Sequence, residues 1–112
     1  MGELESIVYI VEDDAAIRES LRALMESVKL HVRTCATAAE FFDTFERGRP
    51  GCIVLDIRLP DMSGMELFRR LRSEHVGTPT IFVTGYGEIS VAVEAMKHGA
   101  FDFLLKPFIA QG

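Results

Sequence analysis

The sequence predicts a doubly wound α/β domain, a five-stranded parallel sheet with helices on both faces. Two observations carry that class. Short runs that are apolar on both sides, IVYIV at 7–11, CIVLD at 52–56 and TIFVT at 80–84, alternate with longer stretches of helical period. The 112 residues, 48% of them hydrophobic, suffice for one buried core and leave no room for a second.

The elements follow in order. Residues 7–11 form a strand buried on both faces, and Ile17, Leu21, Leu24, Met25 and Val28 then fall on one face of a first helix. LHVRTC at 30–35 alternates more than the other strands. Thr37 with Glu40 has the spacing of a capping box, so a second helix starts just after Thr37. The strand at 52–56 leads to a second such box, Ser63 with Glu66, and to a third helix whose inner face is Leu67, Phe68 and Leu71. After the strand at 80–84, a fourth helix runs from near Glu88, with Ile89, Val93 and Met96 as its face and Gly99 as its stop. FDFLL at 101–105 closes the series, and the two less regular strands, 30–35 and 101–105, belong nearer the sheet edges.

Right-handed crossovers in such a sheet place every C-terminal strand tip along one edge, where doubly wound folds carry their sites. The tips hold Glu12, Asp13 and Asp14 after the first strand, Asp56 after the third, Thr84 at the end of the fourth and Lys106 after the fifth. Asp14 reads as a helix cap. Asp56 does not, because Ile57-Arg58-Leu59-Pro60 separates it from the next helix. Carboxylates crowded at one tip repel unless a cation or a proton is shared among them. Oxygen ligands without a neighbouring His or Cys suit a hard ion, and a shallow, wet site suits Mg²⁺ better than Ca²⁺.

Charge and composition narrow the function classes. Twelve basic residues against seventeen acidic ones give a net charge of −5 without a basic stripe, which argues against direct nucleic-acid binding. The N-terminal MGELESIVYIV carries acids where a signal peptide needs bases, and its apolar run is too short to span a membrane, so a soluble, cytoplasmic protein is expected. Cys35 and Cys52 lack metal or redox spacing and read as core residues. His31, His75 and His98 fall on a strand, a helix-end loop and a last helical turn, and read as surface residues.

Glu12-Asp13, Asp56 within LDIRLPDMSG, Thr84 within VTGYGE and Lys106-Pro107-Phe108 together resemble the receiver domain of two-component response regulators, over nearly the whole chain. The stretch TGYGEISVAVEAMKHGAFDFLLKPF is similar to the FixJ-like subfamily and, less closely, to the NtrC-like one. The resemblance implies a flavodoxin-like sheet of order 2-1-3-4-5 and one receiver domain over residues 1–112, ending before the family's fifth helix. It implies that Asp56 takes a phosphoryl group from a phosphohistidine on a sensor histidine kinase, as a phosphoacceptor rather than an enzyme. Asp13, Asp56 and the backbone carbonyl of Arg58 then hold Mg²⁺, with Glu12 acting directly or through water. Lys106 pairs with one phosphoryl oxygen, and Thr84 donates to another. Thr84 and Phe103, three residues before the lysine, form the switch; Phe103 stands where the family commonly has tyrosine. Arg58 and Tyr86 border the path of the hydrolytic water, and neither is a carboxylate or amide, which implies a persistent phosphorylated form. The expected output is transcriptional, through a helix-turn-helix DNA-binding domain in the parent protein. With the fifth helix missing, exposed apolar surface favours a homodimer.

Two other classes compete. A haloacid-dehalogenase-type phosphohydrolase also uses a strand-tip aspartate, but requires an acid two residues on, where Arg58 stands. A flavodoxin-like FMN carrier needs a Ser/Thr/Gly-rich phosphate loop after the first strand, where Glu12-Asp13-Asp14 repels phosphate.

Overall fold

The computed structural model describes residues 5–106. Five parallel strands, β1 (Ile7–Val11), β2 (His31–Cys35), β3 (Gly51–Asp56), β4 (Thr80–Thr84) and β5 (Asp102–Leu105), form one sheet of order β2-β1-β3-β4-β5. The helices are α1 (Ala15–Ser27), α2 (Ala38–Thr44), α3 (Gly64–Ser73) and α4 (Ile89–Lys97), the last entered through a 3₁₀ turn at Tyr86–Glu88. The less regular strands are the two edges, as their alternation predicts, while every residue of β1 is buried.

The pleat sorts the core into two layers. Ile7, Tyr9 and Val11 point to one side of the sheet and pack with Phe41 of α2, Leu67 and Phe68 of α3, and Ala92 of α4. Val8 and Ile10 point to the other and meet Val54, Val83 and the half-buried Leu21 and Met25 of α1. Both capping hydroxyls act as expected: Thr37 accepts from the Glu40 amide and Ser63 from the Glu66 amide, each at 3.0 Å. Gly99, at φ 104°, ends α4 in the left-handed region that glycine enters without penalty.

Two helix faces differ from the expectation. In α4 the buried residues are Ala92 and Ala95, and Val93 and Met96 are exposed. Small side chains let that helix lie close to the sheet, so the alanines rather than the larger apolar residues mark its inner face. In α1, Ile17, Leu21 and Met25 face inward at four-residue spacing, whereas Leu24 and Val28 are exposed. Pro107, Phe108 and any continuation toward a fifth helix lie outside the described residues.

Candidate functional site

The turn after β1 builds the acidic floor. Asp14 caps α1, its carboxylate accepting from the Ile17 amide at 3.1 Å, and this fixes the chain just after the strand. Arg18, one turn into α1, reaches back and donates to the carbonyls of Glu12 and Asp13 at 2.9 and 3.3 Å. Asp13 is thereby left exposed, while Glu12 turns inward to 1% exposure. Glu12 Oε2 accepts from the Asp14 amide at 3.1 Å, and Oε1 is buried with no hydrogen-bond partner among the described residues.

Asp56 ends β3 at 4% exposure, and its Oδ1 accepts from the Arg58 amide at 3.3 Å. Lys106 follows β5, and its own amide bonds the Thr84 carbonyl at 2.8 Å, extending the β4–β5 ladder by one step. Its Nζ lies 3.2 Å from Asp56 Oδ2 and 3.6 Å from Glu12 Oε1. Glu12, Asp13, Asp56 and Lys106 thus line one open cleft of about 340 Å³, together with Asp14, Arg58, Leu59 and Pro60.

Electrostatics follow from this crowding. Burial of Glu12 in weakly polar surroundings, with the Asp56 carboxylate close by, raises its carboxyl to about 7 against the partial relief of the Asp14 amide and Lys106. Burial works against the charge of Lys106, but Asp56, Glu12 and Asp13 outweigh it and hold its ammonium above the ordinary lysine range. Glu12, Asp13 and Asp56 each bring one carboxylate oxygen to within 4.8 Å of the others. Glu12 Oε1 is the decisive feature: a buried carboxyl oxygen with no hydrogen-bond partner among the described residues, 3.6 Å from the Lys106 ammonium and beside two more carboxylates, fits a hard divalent cation.

Thr84 is fully buried. Its hydroxyl donates to the Gly85 carbonyl at 3.1 Å, and it does not line the cleft. Phe103 is half-buried on β5, opposite Phe82 in the strand register, and packs against the larger core layer. The Arg58 side chain is largely exposed and ion-paired with Glu88, beside the start of α4. None of the histidines reaches the cleft: His31 pairs with Glu5, His98 with Glu94, and His75 sits in the turn after α3. Cys35 and Cys52 are free thiols, both pushed up by burial.

Residue patterns alone miss two supports. Arg18 shows no signal beyond being a basic residue near a helix start. Gly64 offers one, a glycine at the first position of a helix, where it is a poor former. A Cβ there would lie 2.1 Å from the Asp56 carbonyl oxygen, so the missing side chain is what lets α3 start against the Asp56 backbone.

A sequence profile described as the response regulator receiver domain matches residues 8–111. The response regulator protein TmoT of Ectopseudomonas mendocina is 42% identical over 108 residues, 96% of this chain and 49% of that protein. The transcriptional regulatory protein FixJ of Bradyrhizobium diazoefficiens is 42% identical over 101 residues, 90% of this chain and 49% of that one. Among solved structures, the response regulator StyR superposes with a TM-score of 0.85 at 42% identity, covering 94% of this chain and 53% of StyR. The chain spans about half the length of the curated relatives it matches. No helix among the described residues is long and apolar enough to cross a membrane.

Proposed function

The chain belongs to the response regulator receiver family, and from that premise we propose that Asp56 is its phosphoacceptor, Lys106 and Thr84 its phosphoryl-binding partners, and the whole a phosphorylation-controlled switch. The observation that carries this is the Lys106 ammonium 3.2 Å from Asp56 Oδ2, in a cleft that also holds the carboxylates of Glu12, Asp13 and Asp14.

An Asp56 carboxylate oxygen attacks the phosphorus of a phosphohistidine presented by a sensor kinase. The O–P bond forms as the P–N bond breaks, and the bonding pair stays on the imidazole nitrogen. Lys106 then exchanges part of its pairing with Asp56 for an incoming phosphoryl oxygen. Asp13, Asp56 and the Arg58 carbonyl would hold Mg²⁺, with Glu12 beside it directly or through water; the ion supplies neutralisation of phosphoryl charge. The Thr84 hydroxyl turns from the Gly85 carbonyl toward a phosphoryl oxygen and vacates space on β4 that Phe103 enters, altering the α4–β5 surface. Arg58, held by Glu88, and Tyr86 offer no carboxylate or amide to align water, so the acyl phosphate persists.

The relatives' lengths and names support an attached output domain, which we assign as a helix-turn-helix DNA-binding unit in the parent protein. That role places it in the cytoplasm. Leu24 and Val28, one turn apart at the C-terminal end of α1 and at 60% and 63% exposure, offer an apolar surface for self-association.

The test is beryllofluoride with Mg²⁺, a mimic of the phosphoryl group. Thr84 and Phe103 resonances should shift on occupancy; occupancy at Asp56 without a change at either would remove the switch.

A further inference from the structure

Residues 58–63, within the connection from β3 to α3, make a closed loop. Its neck is tied by the Gly64 amide to the Ile57 carbonyl at 2.7 Å and by an antiparallel bridge between Arg58 and Ser63. Its tip is tied elsewhere. Asp61 Oδ1 accepts from the Ala38 amide at 2.9 Å and Oδ2 from the Ala39 amide at 3.0 Å, across 23 and 22 residues of sequence. The open amides of α2 are thus divided between two caps, Asp61 for Ala38 and Ala39 and Thr37 for Glu40. The two bonds hold the Asp61 carboxyl below its ordinary range, so it stays ionised as an acceptor.

What Asp61 anchors matters to the cleft. Leu59 and Pro60, immediately before it, line the acidic cleft with Glu12, Asp13 and Lys106, and Arg58 leads into them. The anchor itself is firm: Phe41 of α2 is fully buried, with its ring 5.6 Å from that of Tyr9 on β1. A loop tied only at its neck leaves the Leu59–Pro60 wall free to swing; a loop tied also at its tip does not.

We infer that Asp61 is a positioning residue which, by fastening the loop tip to α2, sets the cleft wall and the Arg58 backbone, and with them divalent-cation affinity. The inference rests on reading Asp56 as the phosphoacceptor. It separates two roles that are otherwise alike, since both Asp61 and Thr37 cap α2 but only Asp61 belongs to the cleft loop.

Asp61→Ala, Asp61→Asn and Thr37→Ala test it against wild type. Mg²⁺ dissociation constants are measured by calorimetry, Gly64 amide exchange without metal, and labelling by acetyl phosphate as a function of Mg²⁺. Asp61→Ala should raise the Mg²⁺ dissociation constant about ten-fold, the low end for groups that support ligands. It should also speed Gly64 exchange, yet recover wild-type labelling at saturating Mg²⁺. Asp61→Asn, which keeps one acceptor oxygen, should fall between. Thr37→Ala should lose stability but keep wild-type Mg²⁺ affinity and Gly64 exchange. Wild-type affinity in Asp61→Ala, or an equal loss in Thr37→Ala, overturns the positioning role while leaving Asp56 as the acceptor. A wild type that neither binds Mg²⁺ nor becomes labelled overturns both.

Discussion

Gly64→Ala sets two known effects against each other. Alanine is the better helix former by up to ~1 kcal/mol, and Gly64 is the first residue of α3, so propensity alone predicts a more stable protein. Packing predicts the reverse. The added Cβ would lie 2.1 Å from the Asp56 oxygen and 3.0 Å from both the Asp56 carbonyl carbon and the Ile57 Cα, all backbone atoms, where ordinary contact begins at 3.4 Å. No side chain can swing away, so α3 or the end of β3 must shift by roughly 1 Å. Overpacking of that kind costs ~1–3 kcal/mol, which exceeds the propensity gain, most of which is unavailable in a first turn. The expected net loss is ~1–2 kcal/mol, or about 5–15 °C in thermal midpoint for a domain of this size. The displaced backbone is that of Asp56, so Mg²⁺ affinity should fall as well. Urea unfolding in chelator, paired with Mg²⁺ titration, measures both. A variant as stable as wild type with unchanged Mg²⁺ binding would show that the close approach of α3 to Asp56 is not required.

Two further outcomes follow from the buried charges. In chelator, Glu12 binds its proton more tightly folded, at about 7, than unfolded, near 4.5. Stability should therefore fall as pH rises from about 4.5 to about 7, by at most ~3–4 kcal/mol at ~1.36 per unit; Glu12→Gln should flatten that slope, and an unchanged slope would reject the assignment. Lys106→Met leaves two buried carboxylates without their cation, so in chelator it should lose ~2 kcal/mol, while the stabilisation gained on adding Mg²⁺ should exceed that of wild type. A Mg²⁺ gain no larger than wild type would mean that Lys106 does not compete for those oxygens.

The sheet was legible because its signals are local. Buried strands show as unbroken apolar runs, caps as Thr37 and Ser63 with an acid three residues on, and the acidic cluster as residues at strand tips whose convergence the crossover rule dictates. The inner face of α4 was not, because hydrophobic size points to Val93 and Met96, whereas the sheet selects Ala92 and Ala95 for close approach. Arg18, Gly64 and Asp61 were hidden for a related reason. Each acts through a backbone group outside its own repeat pattern: the Arg18 guanidinium on strand-end carbonyls, the absent Gly64 side chain against Asp56, and the Asp61 carboxylate across 22 residues onto α2. Tertiary contacts to main-chain atoms leave no periodicity to read. Thr84 and Lys106 fall between these cases: both stand at the predicted strand tips, but only Lys106 faces the cleft.

The assignment of Asp56 turns on where a phosphoryl group lands. Protein incubated with acetyl phosphate and Mg²⁺, reduced to trap the acyl phosphate and mapped by peptide mass spectrometry, should carry the modification at Asp56, and Asp56→Asn should carry none. Labelling at Asp13 or Glu12 in the wild type, or undiminished labelling of Asp56→Asn, would contradict it.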